Sequence, residues 1–135
     1  MIHSYKFKEE SMKFINSRVH TIIGIVVGLA LLAAPWLFAF ADEGGAAVTV
    51  PLAIGAFILL SELTTTSTAS PIKLIPMRIH IILDVVTGVV LAASPWLFGF
   101  NDEPLNAWLP HLAVGILVVG YALMTKTNDR EDTAS

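Results

Sequence analysis

The sequence predicts an all-α polytopic membrane protein, with four transmembrane helices arranged as two tandem helical hairpins that form parallel repeats. Three observations lead there. The 135-residue chain is 55% hydrophobic and only 14% charged, a composition outside the soluble globular range. Four apolar segments each approach the length needed to cross a hydrocarbon core of ~30 Å at ~1.5 Å per residue. Residues 18–65 also align without a gap on residues 78–125, with 20 identities in 48 paired positions at a constant offset of sixty. Self-similarity at one fixed offset marks a duplicated unit.

The spans are expected at about 19–40, 46–63, 79–100 and 107–124. Lipid offers no hydrogen bonds, so a spanning backbone must satisfy its own, and these segments should be helices. The first span follows basic residues, and Ala39-Phe40-Ala41 has the small-x-small pattern of a signal cleavage site. It is longer than a signal core of ~7–15 residues, and it recurs inside the chain, so a retained helix is expected. Residues 1–17 are a cytoplasmic N-terminal segment, read as a tail or as a short interfacial helix. Repeat 1 spans 18–65 and repeat 2 spans 78–125, joined by a cytoplasmic linker at 66–77 that contains Pro71 and Pro76. Residues 126–135 form a charged tail.

Charge fixes the expected orientation. All eight Lys and Arg residues lie in the N-terminal segment, the linker, the adjoining helix starts or the C-terminal tail. The two tight connections carry Asp42, Glu43, Asp102 and Glu103 and nothing basic. The positive-inside rule then puts both termini and the linker in the cytoplasm and both acidic turns outside. Two hairpins of the same orientation would be related by a pseudo-two-fold axis along the membrane normal. The chain has no cysteine, which excludes disulfides, thiolate metal sites and thiol catalysis. It has no basic patch, so nucleic acid is not an expected partner.

Each repeat carries a Pro-Trp motif near the outer end of its first helix: Ala34-Pro35-Trp36 and Ser94-Pro95-Trp96. A proline inside a helix frees the carbonyl four residues back, here Leu31 and Leu91, and a bend or widened turn is expected at each. The Ser94 hydroxyl has a hydrogen bond to give to freed backbone, whereas Ala34 has none. Trp36 and Trp96 are expected at interface depth, as anchors in an aromatic belt or as part of an aromatic site for a lipid or small ligand.

Duplicated Ser/Ala-Pro-Trp motifs within paired helices resemble the SPW-repeat family of small prokaryotic integral membrane proteins. The resemblance runs over about residues 18–125 and departs from the motif at Ala34. It implies a multi-pass protein of the cell membrane and brings no activity, cofactor or catalytic residue with it.

The remaining candidates are polar groups at the cytoplasmic ends of the helices. Arg18 and Arg78 should snorkel to the surface. His20 and His80 occupy equivalent positions, either at the interface or facing each other across the pseudo-two-fold axis as a metal or proton site. Asp84 replaces Gly24 of the first repeat and so breaks the symmetry. An ionisable group inside a membrane is costly and usually paired. His80 is four residues earlier on the same helical face, and Arg18 and His20 are the candidates across the repeat interface. Glu62 is expected at the interface or in the same polar cluster. Gly24, Gly28 and Gly88 are expected to let helices approach closely. No catalytic motif, cofactor site or complete metal-ligand set is legible. The reading is a non-enzymatic membrane protein with a structural or partner-binding role. Its expected partners are the bilayer and, beyond it, further copies or another membrane protein. The alternative is an oligomeric ion- or proton-coupled channel or transporter using Asp84.

Overall fold

The structure, a computed structural model, describes residues 13–67 and 69–126. Four long helices make up nearly all of it: α1 (Ser17–Leu37), α2 (Gly45–Leu63), α3 (Met77–Leu97) and α4 (Leu105–Leu123). Each is long and apolar enough to cross a membrane. The interfacial-helix reading of the N-terminal segment and the tail reading of the C-terminus fall largely on residues 1–12 and 127–135, outside the described residues.

α1 and α3 begin and end earlier than the apolar runs imply, and the reason is local. The Asn16 side chain caps α1 by accepting a 2.8 Å bond from the Val19 N–H, satisfying one of the free donors of the first turn. At the other end the run of apolar residues continues through Phe40, but the helix stops at Leu37. The Phe40 N–H turns back to the Pro35 carbonyl at 2.8 Å, and the Ala39 N–H to that of Trp36 at 3.3 Å. This is a Schellman closure, in which the donor of the inner bond adopts the left-handed region. Ala39 sits there at φ 57° and Gly99, its counterpart, at φ 71°. The closure turns Phe40 and Phe100 inward, so these aromatics cover the end of the core instead of extending the helix.

Both prolines lie in the final turn of their helices, which continue two residues beyond them. The Leu91 carbonyl freed by Pro95 receives a 2.7 Å bond from the Ser94 hydroxyl. Two further prolines, Pro51 and Pro110, lie inside α2 and α4. Pro51 frees the Ala47 carbonyl, and the His111 Nε2–H of α4 donates to it at 2.9 Å. His111 stands at the repeat position of Pro51, so one copy satisfies the backbone group that the other copy exposes.

α1 packs chiefly on α2, and α3 on α4. The close approach rests on reciprocal glycines. A Cβ at Gly28 would come within 3.2 Å of the Gly55 carbonyl, and one at Gly55 within 2.9 Å of the Gly28 carbonyl. Gly88 and Gly115 form the same pairing in the second repeat, where a Cβ on Gly88 would lie 2.9 Å from the Gly115 carbonyl. Small residues let helix backbones touch where lipid gives no hydrophobic drive for association. The central core is Val27, Leu31, Ile58, Leu91, Val118 and Tyr121. Outward faces carry large apolar side chains such as Val26, Leu29, Leu60, Val86 and Ile116, a surface that suits lipid.

The repeats exchange contacts at the ends near the linker. Ile15 bridges to Thr125, and the equivalent Ile75 bridges to Thr65. The bonds match one for one: Ile15 N–H to the Met124 carbonyl at 3.1 Å, and Ile75 N–H to the Thr64 carbonyl at 2.8 Å. Each segment that enters a first helix thus pairs with the end of a second helix.

The left-handed Ala39 yields a direct expectation. A Cβ in that region is strained, and glycine relieves it. Ala39→Gly should stabilise the protein, and Gly99→Ala should destabilise it, each by roughly 0.5–1 kcal/mol. Thermal unfolding in detergent checks both, and a lower melting temperature for Ala39→Gly would contradict the assignment.

Candidate functional site

Four ionisable side chains converge between the helices near the linker end of the bundle: His20 from α1, Glu62 from α2, and His80 and Asp84 from α3. All four are enclosed, none more than 1% exposed. His20 Nε2 lies 2.7 Å from Asp84 Oδ2 and 3.5 Å from Glu62 Oε1. His80 Nε2 lies 3.0 Å from Glu62 Oε1 and 3.2 Å from Asp84 Oδ2. The two imidazoles meet edge to face with centroids 5.1 Å apart, and Tyr121 of α4 stands edge-on to His20 at 4.9 Å.

The outer nitrogen of each ring is held by a threonine. His20 Nδ1 is 2.7 Å from Thr125 Oγ1, and His80 Nδ1 is 2.6 Å from Thr65 Oγ1. Each hydroxyl already gives its one proton to the carbonyl four residues back: Thr65 to Ser61 and Thr125 to Tyr121, both at 2.6 Å. The hydroxyl oxygen must therefore accept from the ring, and Nδ1 carries the hydrogen. Nε2 of the neutral ring is then a bare lone pair aimed at carboxylate oxygens. Four acceptors in one enclosed space cohere only around positive charge, supplied by protons on the imidazoles or by a cation among them.

The asymmetry between the repeats has a spatial cause. Gly24 occupies the α1 position equivalent to Asp84, and a Cβ there would collide with the Glu62 carboxylate. The missing side chain on α1 is room for the acid of α2. Gly24 therefore belongs to the site, whereas Gly28 and Gly88 belong to helix packing.

The residues singled out in the sequence divide clearly. His20, His80, Asp84 and Glu62 come together. The interfacial reading of Glu62 is corrected, because the carboxylate is buried against His80 rather than at a surface. Helical spacing favoured His80 as the nearest partner of Asp84, but His20 from the other repeat is closer. Arg18 does not join the cluster. It is exposed two residues before His20, on a side of α1 from which a long cationic side chain reaches water. Pro35, Ser94 and Pro95 are buried, while Trp36 and Trp96 remain exposed near the opposite ends of their helices, and Trp96 meets Trp108 at 5.7 Å. Thr65, Thr125 and Tyr121 were not anticipated. Thr65 and Thr125 are an identical pair in the repeat alignment, and that was the available signal.

Several polar atoms at and around the cluster are buried without a hydrogen-bond partner among the described residues: Glu62 Oε2, Asp84 Oδ1, Tyr121 OH, Thr21 Oγ1 and Ser17 Oγ. At the opposite end of the bundle the two acidic turns approach each other. A hydrogen bond with Glu103 holds the Glu43 carboxyl above the usual carboxylate range. The folded state then binds that proton more tightly than the unfolded chain, so its contribution to stability is lost as pH rises above the ordinary carboxylate range. Glu43→Gln should remove this component and flatten the fall in melting temperature between mildly acidic and neutral pH. Because Glu43 is fully exposed, the effect should be small and screened by salt. An unchanged pH profile would contradict the pairing.

No curated protein and no solved structure matches the chain. The model of the SPW repeat domain family matches residues 18–125, which takes in both Pro-Trp motifs, all four helices and every residue of the polar cluster. The chain is a member of the SPW repeat family.

Proposed function

We propose that this small multi-pass membrane protein is a non-catalytic scaffold. In this reading its four helices form two tandem hairpins, parallel repeats about an axis along the membrane normal, with both termini and the linker cytoplasmic. The setting is the cell membrane of a prokaryote, and the partner is another membrane protein or a second copy of the chain. The observation that carries the reading is the closure of the polar cluster on itself. The four ionisable side chains are buried and in mutual contact, so the polar interior holds helices together. Nucleophile, base and oxyanion donors arranged around a substrate space would support an enzyme instead.

Orientation is tested by cysteines introduced into this cysteine-free chain. Residues 44 and 107 should label from outside with an impermeant thiol reagent, and residue 66 should not. Labelling at 66 from outside would overturn the topology.

Function is tested by Asp84→Asn. The substitution keeps the shape of the side chain and removes its charge from a buried network, a change worth about 3–5 kcal/mol. Stability in detergent should fall, while proton and ion flux in proteoliposomes stays at the background of empty vesicles for both proteins. A flux in the wild type that Asp84→Asn abolishes would replace the scaffold with the channel or transporter reading. Co-purification in mild detergent would then identify a stoichiometric partner under the first reading and a pore-forming oligomer under the second.

A further inference from the structure

We propose that His20, Glu62, His80 and Asp84 form a binding site for one divalent first-row transition-metal ion, with Zn²⁺ the best matched. The inference does not depend on the scaffolding role, since it needs only these four side chains and the groups that orient them.

The geometry suits such an ion. One ligand atom from each residue lies within 4.8 Å of all the others. The four nitrogen-to-oxygen separations run from 2.7 to 3.5 Å. A tetrahedron with metal–ligand bonds of ~2.0–2.1 Å has edges of about 3.3 Å, inside that range. Two imidazoles and two carboxylates complete a four-coordinate set.

The orientation of the rings is the second argument. Thr65 and Thr125 each accept the Nδ1–H of a histidine and pass their own proton to backbone. Metal-binding histidines are characteristically fixed this way, with the outer nitrogen bonded so that the inner lone pair points at the ion. The arrangement occurs twice, and in each case the threonine comes from the opposite repeat.

Charge and ligand type narrow the ion. Two carboxylates bring two negative charges, which a divalent cation balances, so the loaded site places no net charge among the helices. Mg²⁺ and Ca²⁺ take oxygen ligands and more of them. A pair of imidazole nitrogens favours Zn²⁺ or its first-row neighbours, and the absence of thiolate disfavours Cu⁺. Glu62 Oε2 and Asp84 Oδ1, buried and without hydrogen-bond partners among the described residues, are independent evidence. An ion held by Glu62 Oε1 and Asp84 Oδ2 would neutralise two carboxylates that hydrogen bonds alone leave half-satisfied.

The test uses the full-length protein purified in mild detergent, stripped with a chelator and dialysed against Zn²⁺. Elemental analysis should find about one zinc per chain, retained in excess Mg²⁺ and Ca²⁺. Loading with Co²⁺ should give the intense visible bands of a tetrahedral site. His80→Ala and Glu62→Gln should lose stoichiometric zinc and change the cobalt spectrum. Thr65→Val leaves all four ligands in place and removes only the orienting hydroxyl. It should weaken zinc affinity about 10–100-fold, and it remains informative if a ligand variant fails to fold. Failure of the wild type to take up zinc or cobalt stoichiometrically overturns the proposal, as does uptake that Thr65→Val and the ligand variants leave unchanged. Zinc binding with no co-purifying partner would refute the scaffold and leave the site standing. A partner recruited by a protein that binds no metal would do the reverse.

Discussion

A buried charge in a low-dielectric interior must find its opposite, and the rest of this structure depends on that constraint. Two carboxylates enter the bundle from α2 and α3, and neither would survive there alone. They are tolerated because the Nε2 atoms of two histidines meet them, one from each repeat. The histidines in turn are held by threonines at the ends of α2 and α4. All four helices are therefore drawn into one hydrogen-bonded unit, and its shortest contacts from side chain to side chain run between the repeats rather than within them. The glycine pairs bring helices together inside each repeat, and the polar cluster then joins the two repeats.

Duplication explains the form of this unit, and divergence explains its chemistry. The histidine and threonine positions are identical in both copies, and each histidine uses the other copy's threonine. The acids are unrelated by the repeat. Glu62 stands opposite Ala122 in the alignment, and Asp84 opposite Gly24. One copy contributes its acid from its second helix and the other from its first. Gly24 is the spatial complement of that choice, since any larger residue would occupy the place of the Glu62 carboxylate. The same division of labour recurs at the opposite end of the bundle. Pro51 leaves the Ala47 carbonyl unmatched, and His111, at the equivalent position, satisfies it between Phe40 and Phe100.

Much of this was legible in the sequence because it is local or periodic. Apolar length gave the four helices, and the constant offset gave the repeat. The Leu91 carbonyl freed by Pro95 and the nearby Ser94 hydroxyl could be paired on paper, because both lie within one helical turn. Asp84 was conspicuous as an acid where its counterpart is glycine. What could not be read were the bonds that cross between repeats, since sequence spacing says nothing about which surfaces meet. Helical spacing therefore ranked His80 above His20 as the partner of Asp84, and it left Glu62 open between the interface and the polar cluster. The helix ends were misplaced for a different reason. Hydrophobicity continues through Phe40 and Phe100, but the backbone closes at the preceding turn and folds those rings inward.

The two repeats are coupled through the buried cluster, and a double-mutant cycle on His20 and Asp84 tests that coupling most directly. These residues belong to different repeats and lie 2.7 Å apart, so no helical neighbour relation links them. Unfolding free energies in detergent for the wild type, His20→Ala, Asp84→Ala and the double variant give the coupling. A coupling of about 0.5–3 kcal/mol is expected, as for contacting members of one network. Effects that add within about 0.3–0.5 kcal/mol, as for independent sites, would contradict it.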